Sequence, residues 1–271
     1  MSLQDSAIEA MRTRFSTLHE SGLFVMPNAW DAASAKVMAT AGASAVATTS
    51  SGFAATLGRV DYEVTAEELL RHSALMCETA GVPVNVDSER CFGADSRGVA
   101  DFVDELGATG AAGFSIEDFN PATESIDPID TAVERVAAAA EAAADHGMTL
   151  TARAERHLYE SDADFDDTLT RLRLFAEAGA GCIYAPGLRD PAQIAAVCAL
   201  GPPVNVLISP ATPTVNELAD LGVRRVSTGG ALTRVALGEV RRAIDELIGS
   251  GTLNYMKHAI DGQEFDRMLG N

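Results

Sequence analysis

VPVNVDSE (82–89), GFSIED (113–118) and TARAE (151–155) decide how this chain folds. Each is a short run of small or β-branched residues that stops at a carboxylate or an arginine. Such a run reads as a buried strand of a parallel sheet with its chemistry placed at the C-terminal end. Working outward, the same grammar recurs at 23–27 (LFVMP), 44–50 (SAVATTS), 180–186 (AGCIYAP), 202–210 (PPVNVLISP) and 223–230 (VRRVSTGG). Amphipathic segments at 31–41, 65–80, 95–107, 128–146, 166–178, 190–200, 213–220 and 231–249 separate and follow these runs, as helices would.

Eight strand–helix units in 271 residues predict a (β/α)8 barrel. An open, doubly wound sheet is the alternative that periodicity leaves standing, but neither GxGxxG nor GxxxxGK[ST] is present. Thr65 before AEELL and Asp190 before Pro191 read as helix starts. Gly42, Gly81, Gly107, Gly179 and Gly222 read as left-handed caps closing the helices. A first helix is expected over Ser6 to Ser21. The barrel with that helix spans 1–250, and 251–271 forms a helical extension whose YMKHAI and EFDRML pieces pack on the barrel or on a neighbouring subunit.

The net charge of −19 argues against nonspecific attraction to nucleic acid or anionic membrane, while leaving room for a locally basic pocket. The four cysteines form no CxxC pair and point to a reducing compartment. The N-terminus lacks the apolar core of a secretory signal, and the alanine-rich stretch is broken by Asp145 and His146. The expected location is the cytoplasm.

In a barrel the C-terminal strand ends converge on one mouth. Asp87 and Glu89 end the third run, Glu117 ends the fourth, and Asp61 lies in the loop after the second. An oxygen-only set of this kind suits Mg²⁺, Ca²⁺ or Mn²⁺, with water completing the shell. Arg153 ends the fifth run, either as a fork for a substrate anion or as a salt bridge to the acids. Glu155 has three readings: orienter of Arg153, outer metal ligand or solvated acid. Ser50, Ser51 and Gly52 form either an anion-binding nest or an ordinary loop. Asn205 lies within VNVL as a satisfied core amide or a mouth residue. Trp30 is placed to wall the pocket, and Asp31 to cap the first barrel helix. Cys91 follows Glu89, with no base visible to activate it.

PNAWDAASA (27–35), ATTSSGFAATLGRVD (47–61) and ELADLGVRRVSTGG (217–230), together with the three opening runs, resemble the isocitrate lyase and phosphoenolpyruvate mutase superfamily from about Phe24 to Arg241. The resemblance implies a magnesium-dependent barrel, commonly a tetramer with exchanged terminal helices, that acts on small 2-oxo or 2-hydroxy carboxylic acids. It implies that Asp61, Asp87, Glu89 and Glu117 hold the metal directly or through water. It implies that Ser51, Gly52 and Phe53 hold the substrate carboxylate, that Arg153 reaches the reacting end, and that Asn205 is a substrate-side amide. The Lys-Lys/Arg-Cys-Gly-His lid of true isocitrate and methylisocitrate lyases is replaced here by IEDFNPATESIDPID, and Tyr184-Ala185-Pro186 stands where those lyases carry an acid. The expected chemistry is therefore a lyase, decarboxylase or hydrolase reaction breaking a C–C bond of an oxaloacetate-like acid, with Asp61 or a metal-bound water moving a proton. P–C chemistry on a phosphonate and noncatalytic binding of a 2-oxo acid are the alternatives. The lid at 118–128 is expected to enclose the substrate, with Asn120 donating a hydrogen bond to it and Glu124 facing solvent.

Overall fold

Side chains alternate strictly along the strands of this protein, and the alternation separates two interiors. The computed structural model describes residues 3–270. In chain order the elements begin with α1 (Leu3–Thr17), β1 (Phe24–Met26), α2 (Ala32–Thr40), β2 (Val46–Ala47), α3 (Ser50–Thr56) and α4 (Ala66–Thr79). β3 (Val84–Asp87), α5 (Ser96–Ala108), β4 (Gly113–Glu117), the hairpin β5 (Phe119–Asn120) and β6 (Ser125–Ile126), and α6 (Ile129–His146) follow. Next come β7 (Thr149–Arg153), α7 (Arg156–Tyr159), α8 (Phe165–Glu177), β8 (Cys182–Tyr184), α9 (Pro191–Cys198) and β9 (Val204–Leu207). The chain closes with α10 (Val215–Asp220), β10 (Arg225–Ser227), α11 (Ala231–Ser250), a 3-10 turn (Asn254–His258) and α12 (Gly262–Gly270).

Eight parallel strands run in the order β1-β10-β9-β8-β7-β4-β3-β2. The seam between the two end strands is bridged rather than open. Asn28 pairs with Ala47, the Ala29 amide donates to the Ala47 carbonyl at 2.7 Å, and the Ala47 amide donates to the Pro27 carbonyl at 2.9 Å. This closure makes a barrel of what sequence periodicity alone leaves as either barrel or open sheet.

Val84, Val86, Phe114, Ile116, Leu150, Val204, Val206 and Val226 point outward and form the main core with the surrounding helices. Each such side chain contributes on the order of 1.5–3 kcal/mol by leaving water. Their neighbours in sequence, among them Asn85, Ser115, Thr151, Asn205 and Arg225, point inward and give the barrel a polar lumen. The N-terminal end of the lumen is plugged from below. Phe15 of α1 packs with Met26, Ala45, Ala47 and Ala112, and a Cβ on Gly113 would lie 2.6 Å from the Phe15 ring.

The helices fall where the apolar pattern places them, with several corrections. α1 starts and stops three or four residues earlier than expected. α3, α7 and the β5–β6 hairpin are additional elements in stretches that read as loops, because each is too short to show a period. Thr65 caps α4 with a capping box, and Asp190 caps α9 with Pro191 in its first turn. Gly107 is not a cap: α5 runs through it, and Gly110 takes the left-handed conformation instead. A Cβ on Gly107 would meet the His146 ring at 2.5 Å, so glycine there lets α5 and α6 approach closely.

In α11 only Thr233 is buried. Val235, Leu237, Val240, Ile244 and Ile248 are exposed along it, and Leu253, Met256, Ile260 and Phe265 are exposed in the segment that follows. Among the described residues no helix is long and apolar enough to cross a membrane.

Candidate active site

Parallel register sets the central charges side by side. Glu117 pairs with Arg153, which pairs in turn with Tyr184, and Asp87 pairs with Ser115. The Arg153 guanidinium lies among three acids: Nη1 donates to Asp87 Oδ1 at 2.7 Å, Nη2 to Glu117 Oε2 at 3.0 Å, and Nε to Glu155 Oε1 at 2.7 Å. Arg153 thus takes the salt-bridge arrangement with the acids of the mouth, and Glu155, fully buried, orients it.

Above this group opens a cavity of about 410 Å³. Asp61, Asp87, Glu117, Arg153, Ser51 and Asn205 all border it, joined by Tyr62, Tyr159 and Arg234. A hollow of the same volume beside His19 at the opposite end is lined mainly by alanine, glycine and other small or apolar residues, with no converging set of ionisable groups.

Acids outnumber the cations they face. Burial first, and then the charge of Asp87, push Asp61 upward. Glu89 is pushed up to about 8 by burial and by Asp87 and Asp61. Burial raises Glu117 against the opposing pull of Arg153. Like charges held together out of water call for a cation. Among the described residues no three carboxylates converge on one point at coordinating distance. The donor chemistry nonetheless fits Mg²⁺, which keeps much of its water and is commonly held by only one or two carboxylates. Asp61 Oδ1 and Glu155 Oε2 are buried oxygens without a hydrogen-bond partner, as such a cluster leaves when it is short of positive charge.

The remaining residues singled out from the sequence divide. Ser51 borders the cavity, but Gly52, Phe53 and Trp30 stand behind its wall. Ser50 and Ser51 open α3 rather than a loop, capped by Thr49. The Gly52 amide accordingly goes to Thr49 Oγ1 and the Phe53 amide to the Thr49 carbonyl, while Phe53 stacks on His72 at 3.9 Å. The segment expected to hold the substrate carboxylate thus spends these two amides inside its own helix. Glu89 is buried outside the cavity lining, its backbone left-handed. Asn205 is both a satisfied amide and a lining residue: it donates to Ser227 at 2.9 Å and accepts from Arg225 at 2.9 Å.

Asn120 is placed apart from the other site residues. It does not border the cavity; its Oδ1 accepts the Ala122 amide and its Nδ2 reaches Asp127 Oδ1 at 3.4 Å, so it braces its own hairpin. No residue of 118–128 lines the cavity. The hairpin is tied down through Asp127, which accepts from Arg90 at 2.7 Å, and through Asp118, which accepts from Arg171 at 3.1 Å. Glu124 faces solvent, as expected. Asp31 caps α2. Cys91 is wholly buried, and burial pushes its thiol up to about 12, which makes it a packing residue. Tyr62, Tyr159 and Arg234 were not legible as site residues. Only the place of Tyr62 beside Asp61, and of Arg234 in the first turn after the last strand, marked them in the sequence.

Comparison with known proteins shows the family. The family model described as phosphoenolpyruvate phosphomutase matches residues 15–248. The chain belongs to the phosphoenolpyruvate phosphomutase family. Its fold superposes on a Burkholderia cenocepacia protein, described as a lyase/mutase, with a TM-score of 0.93, 40% identity and 98% of each chain covered. A Mycobacterium tuberculosis protein of uncharacterised function is 33% identical over 79% of this chain and 81% of its own length. The oxaloacetate decarboxylase of Pseudomonas aeruginosa is 30% identical over 62% of this chain and 60% of its own. The phosphoenolpyruvate phosphomutase family therefore places this barrel among mutases and lyases of small acids.

Proposed function

We propose that this protein is a Mg²⁺-dependent enzyme that cleaves a C–C bond in a small 2-oxo or 2-hydroxy dicarboxylic acid of the oxaloacetate type. The observation that carries the reading is the excess of carboxylates around Arg153 on one side of a cavity only about 410 Å³ in volume. Asp87 and Glu117 would hold the metal, with Asp61 and Glu89 acting directly or through water; Mn²⁺ would serve as a substitute. The bound ion would supply stabilisation of the negative charge that develops as the bond to the adjacent carbon breaks.

This chain's own groups do the rest. Arg153 holds the reacting carboxyl end, oriented by Glu155. Arg234, on the rim beside Ser51, offers a second cationic contact and so favours a substrate with two anionic groups. Asn205 and Ser51 supply neutral hydrogen-bonding groups. The absence of Cys, His and Lys from 118–128 argues against cleavage of isocitrate and methylisocitrate. The alternative P–C reading is supported by the family description and by phosphonate-enzyme relatives rather than by a residue of this site.

Turnover by the purified protein, assayed in magnesium buffer with oxaloacetate, phosphonopyruvate, isocitrate and methylisocitrate, tests the proposal. Oxaloacetate-type cleavage is expected. Efficient isocitrate cleavage would overturn the assignment, and tight binding with no turnover anywhere would make the protein a binding module. We further propose that α11 and the segment after it pack against another copy of the chain in a homo-oligomer, a tetramer by family resemblance. The exposed apolar row supports this. Deleting 252–271 should lower the mass seen by light scattering or cause aggregation; an unchanged assembly would count against it.

A further inference from the structure

We infer that Asp118 is a positioning residue for Arg153, and that it acts through Glu155. The inference rests on the proposed function, in which Arg153 meets the substrate, and extends it to a side chain outside the cavity lining.

Glu155 Oε1 holds the Arg153 Nε at 2.7 Å, while Glu155 Oε2 is buried with no partner. A buried carboxylate satisfied at one oxygen gains by turning toward any other donor in reach, so its own side chain holds it poorly. Its backbone has to be fixed from elsewhere, and Asp118 fixes it. Asp118 Oδ1 accepts the Glu155 amide at 2.8 Å. The Asp118 amide donates to the Arg153 carbonyl at 3.3 Å. One residue thus grips the chain on both sides of Ala154, between the end of β7 and the start of α7.

Asp118 is itself anchored. Its Oδ2 accepts Arg171 Nη1 at 3.1 Å, and the same nitrogen donates to the Asp127 carbonyl at 3.0 Å. The Asp127 amide returns a bond to the Asp118 carbonyl at 2.7 Å. Arg171 Nε donates to Asp167 Oδ2 at 2.7 Å, an atom that also accepts Arg156 Nη1 at 2.7 Å. Every donor here is a guanidinium or a backbone amide, which can only donate, so the direction of each bond is fixed. Asp118, Glu155 and Arg171 are all buried, and a broken link leaves a buried group unpaired. The bonds therefore run without interruption from α8, through Asp118 and Glu155, to the guanidinium at the mouth. The 118–128 hairpin serves the site by mounting Arg153 rather than by covering the substrate.

Isothermal titration of oxalate in Mg²⁺ buffer, on wild type, Asp118→Asn, Glu155→Ala and the double variant, tests this, with circular dichroism as the check on folding. Asparagine keeps the size of the side chain but cannot accept at both ends. D118N should weaken oxalate binding about tenfold, the worth of a hydrogen bond to a charged group. In the E155A background the same substitution should cost less than about twofold, because Asp118 reaches Arg153 through the Glu155 side chain. A merely structural role would give the same loss in both backgrounds. That outcome, or unchanged oxalate affinity in D118N, overturns the inference. Should D118N fail to fold, Arg171→Lys, which keeps a cation beside Asp118 without the fork, carries the same comparison: a loss confined to the Glu155 background supports the inference, and equal losses overturn it. Wild type that binds no oxalate would instead defeat the proposed function on which the inference rests.

Discussion

Two arginines stand inside the barrel, and their surroundings differ in kind. Arg225, near the plugged end, is 1% exposed and has only neutral acceptors: Asn205 Oδ1 at 2.9 Å, Thr151 Oγ1 at 2.8 Å and His19 Nε2 at 3.1 Å. Arg153, at the mouth, is surrounded by three carboxylates. The first arrangement satisfies geometry and leaves a positive charge; the second leaves a surplus of negative charge. Arg225, Asn205 and Thr151 satisfy one another at the floor of the same cavity, while acids bound to an arginine can be redirected to a metal. The contrast separates a structural end of the lumen from a chemical one, although both are built from polar side chains on the same strands.

The sharpest way to break that contrast is Asp87→Ala. It should abolish magnesium-dependent turnover, a loss of at least about a thousandfold, with circular dichroism unchanged, because the side chain faces a cavity. Unaltered magnesium affinity in D87A would remove Asp87 from the metal site. Next in size are Arg153→Met and Arg225→Met. Each strands buried partners and should cost on the order of 3–5 kcal/mol in urea denaturation. Mg²⁺ should restore much of the loss in R153M, where carboxylates are left facing one another, and none of it in R225M. Equal rescue of both would mean that the two ends are not chemically distinct.

Acid should weaken the plugged end in particular. Burial, and then the charge of Arg225, depress His19 to about 4, below its ordinary value of 6.5. The unfolded chain therefore takes up a proton first, so this group's contribution is complete above pH 6.5 and is lost as pH falls toward 4. At about 1.4 kcal/mol per pKa unit, the loss is on the order of 3 kcal/mol. His72, depressed to about 4 mainly by burial, adds to the same acid limb. His19→Gln should flatten that limb in denaturation profiles taken from pH 7 to 4; an identical limb would exclude His19 as a contributor. The smallest effect is expected at the hairpin. Asn120→Ala should lower kcat/KM by less than about tenfold, since Asn120 only braces its own turn. A loss of several orders of magnitude would return it to the substrate.

The order of the strand–helix units, the caps at Thr65 and Asp190, and the arrival of Asp87, Glu117 and Arg153 at one rim were legible in the linear chain. Each depends on local pattern and on the period of a strand, which places consecutive C-terminal ends on the same edge. Short elements were not legible, because α3, α7 and the hairpin are shorter than the period that would reveal them. Partner choice was not legible either. That α3 uses the Gly52 and Phe53 amides internally follows from a helix too short to be read, while the pairing of Arg153 with Asp87 and Glu117 and the place of Tyr159 rather than Asn120 at the cavity depend on distances between residues far apart in the chain. Closure of the barrel at Asn28 and Ala47 is of the same kind. It is a contact between the first and second strands that no window of sequence contains, and only the packed three-dimensional arrangement decides it.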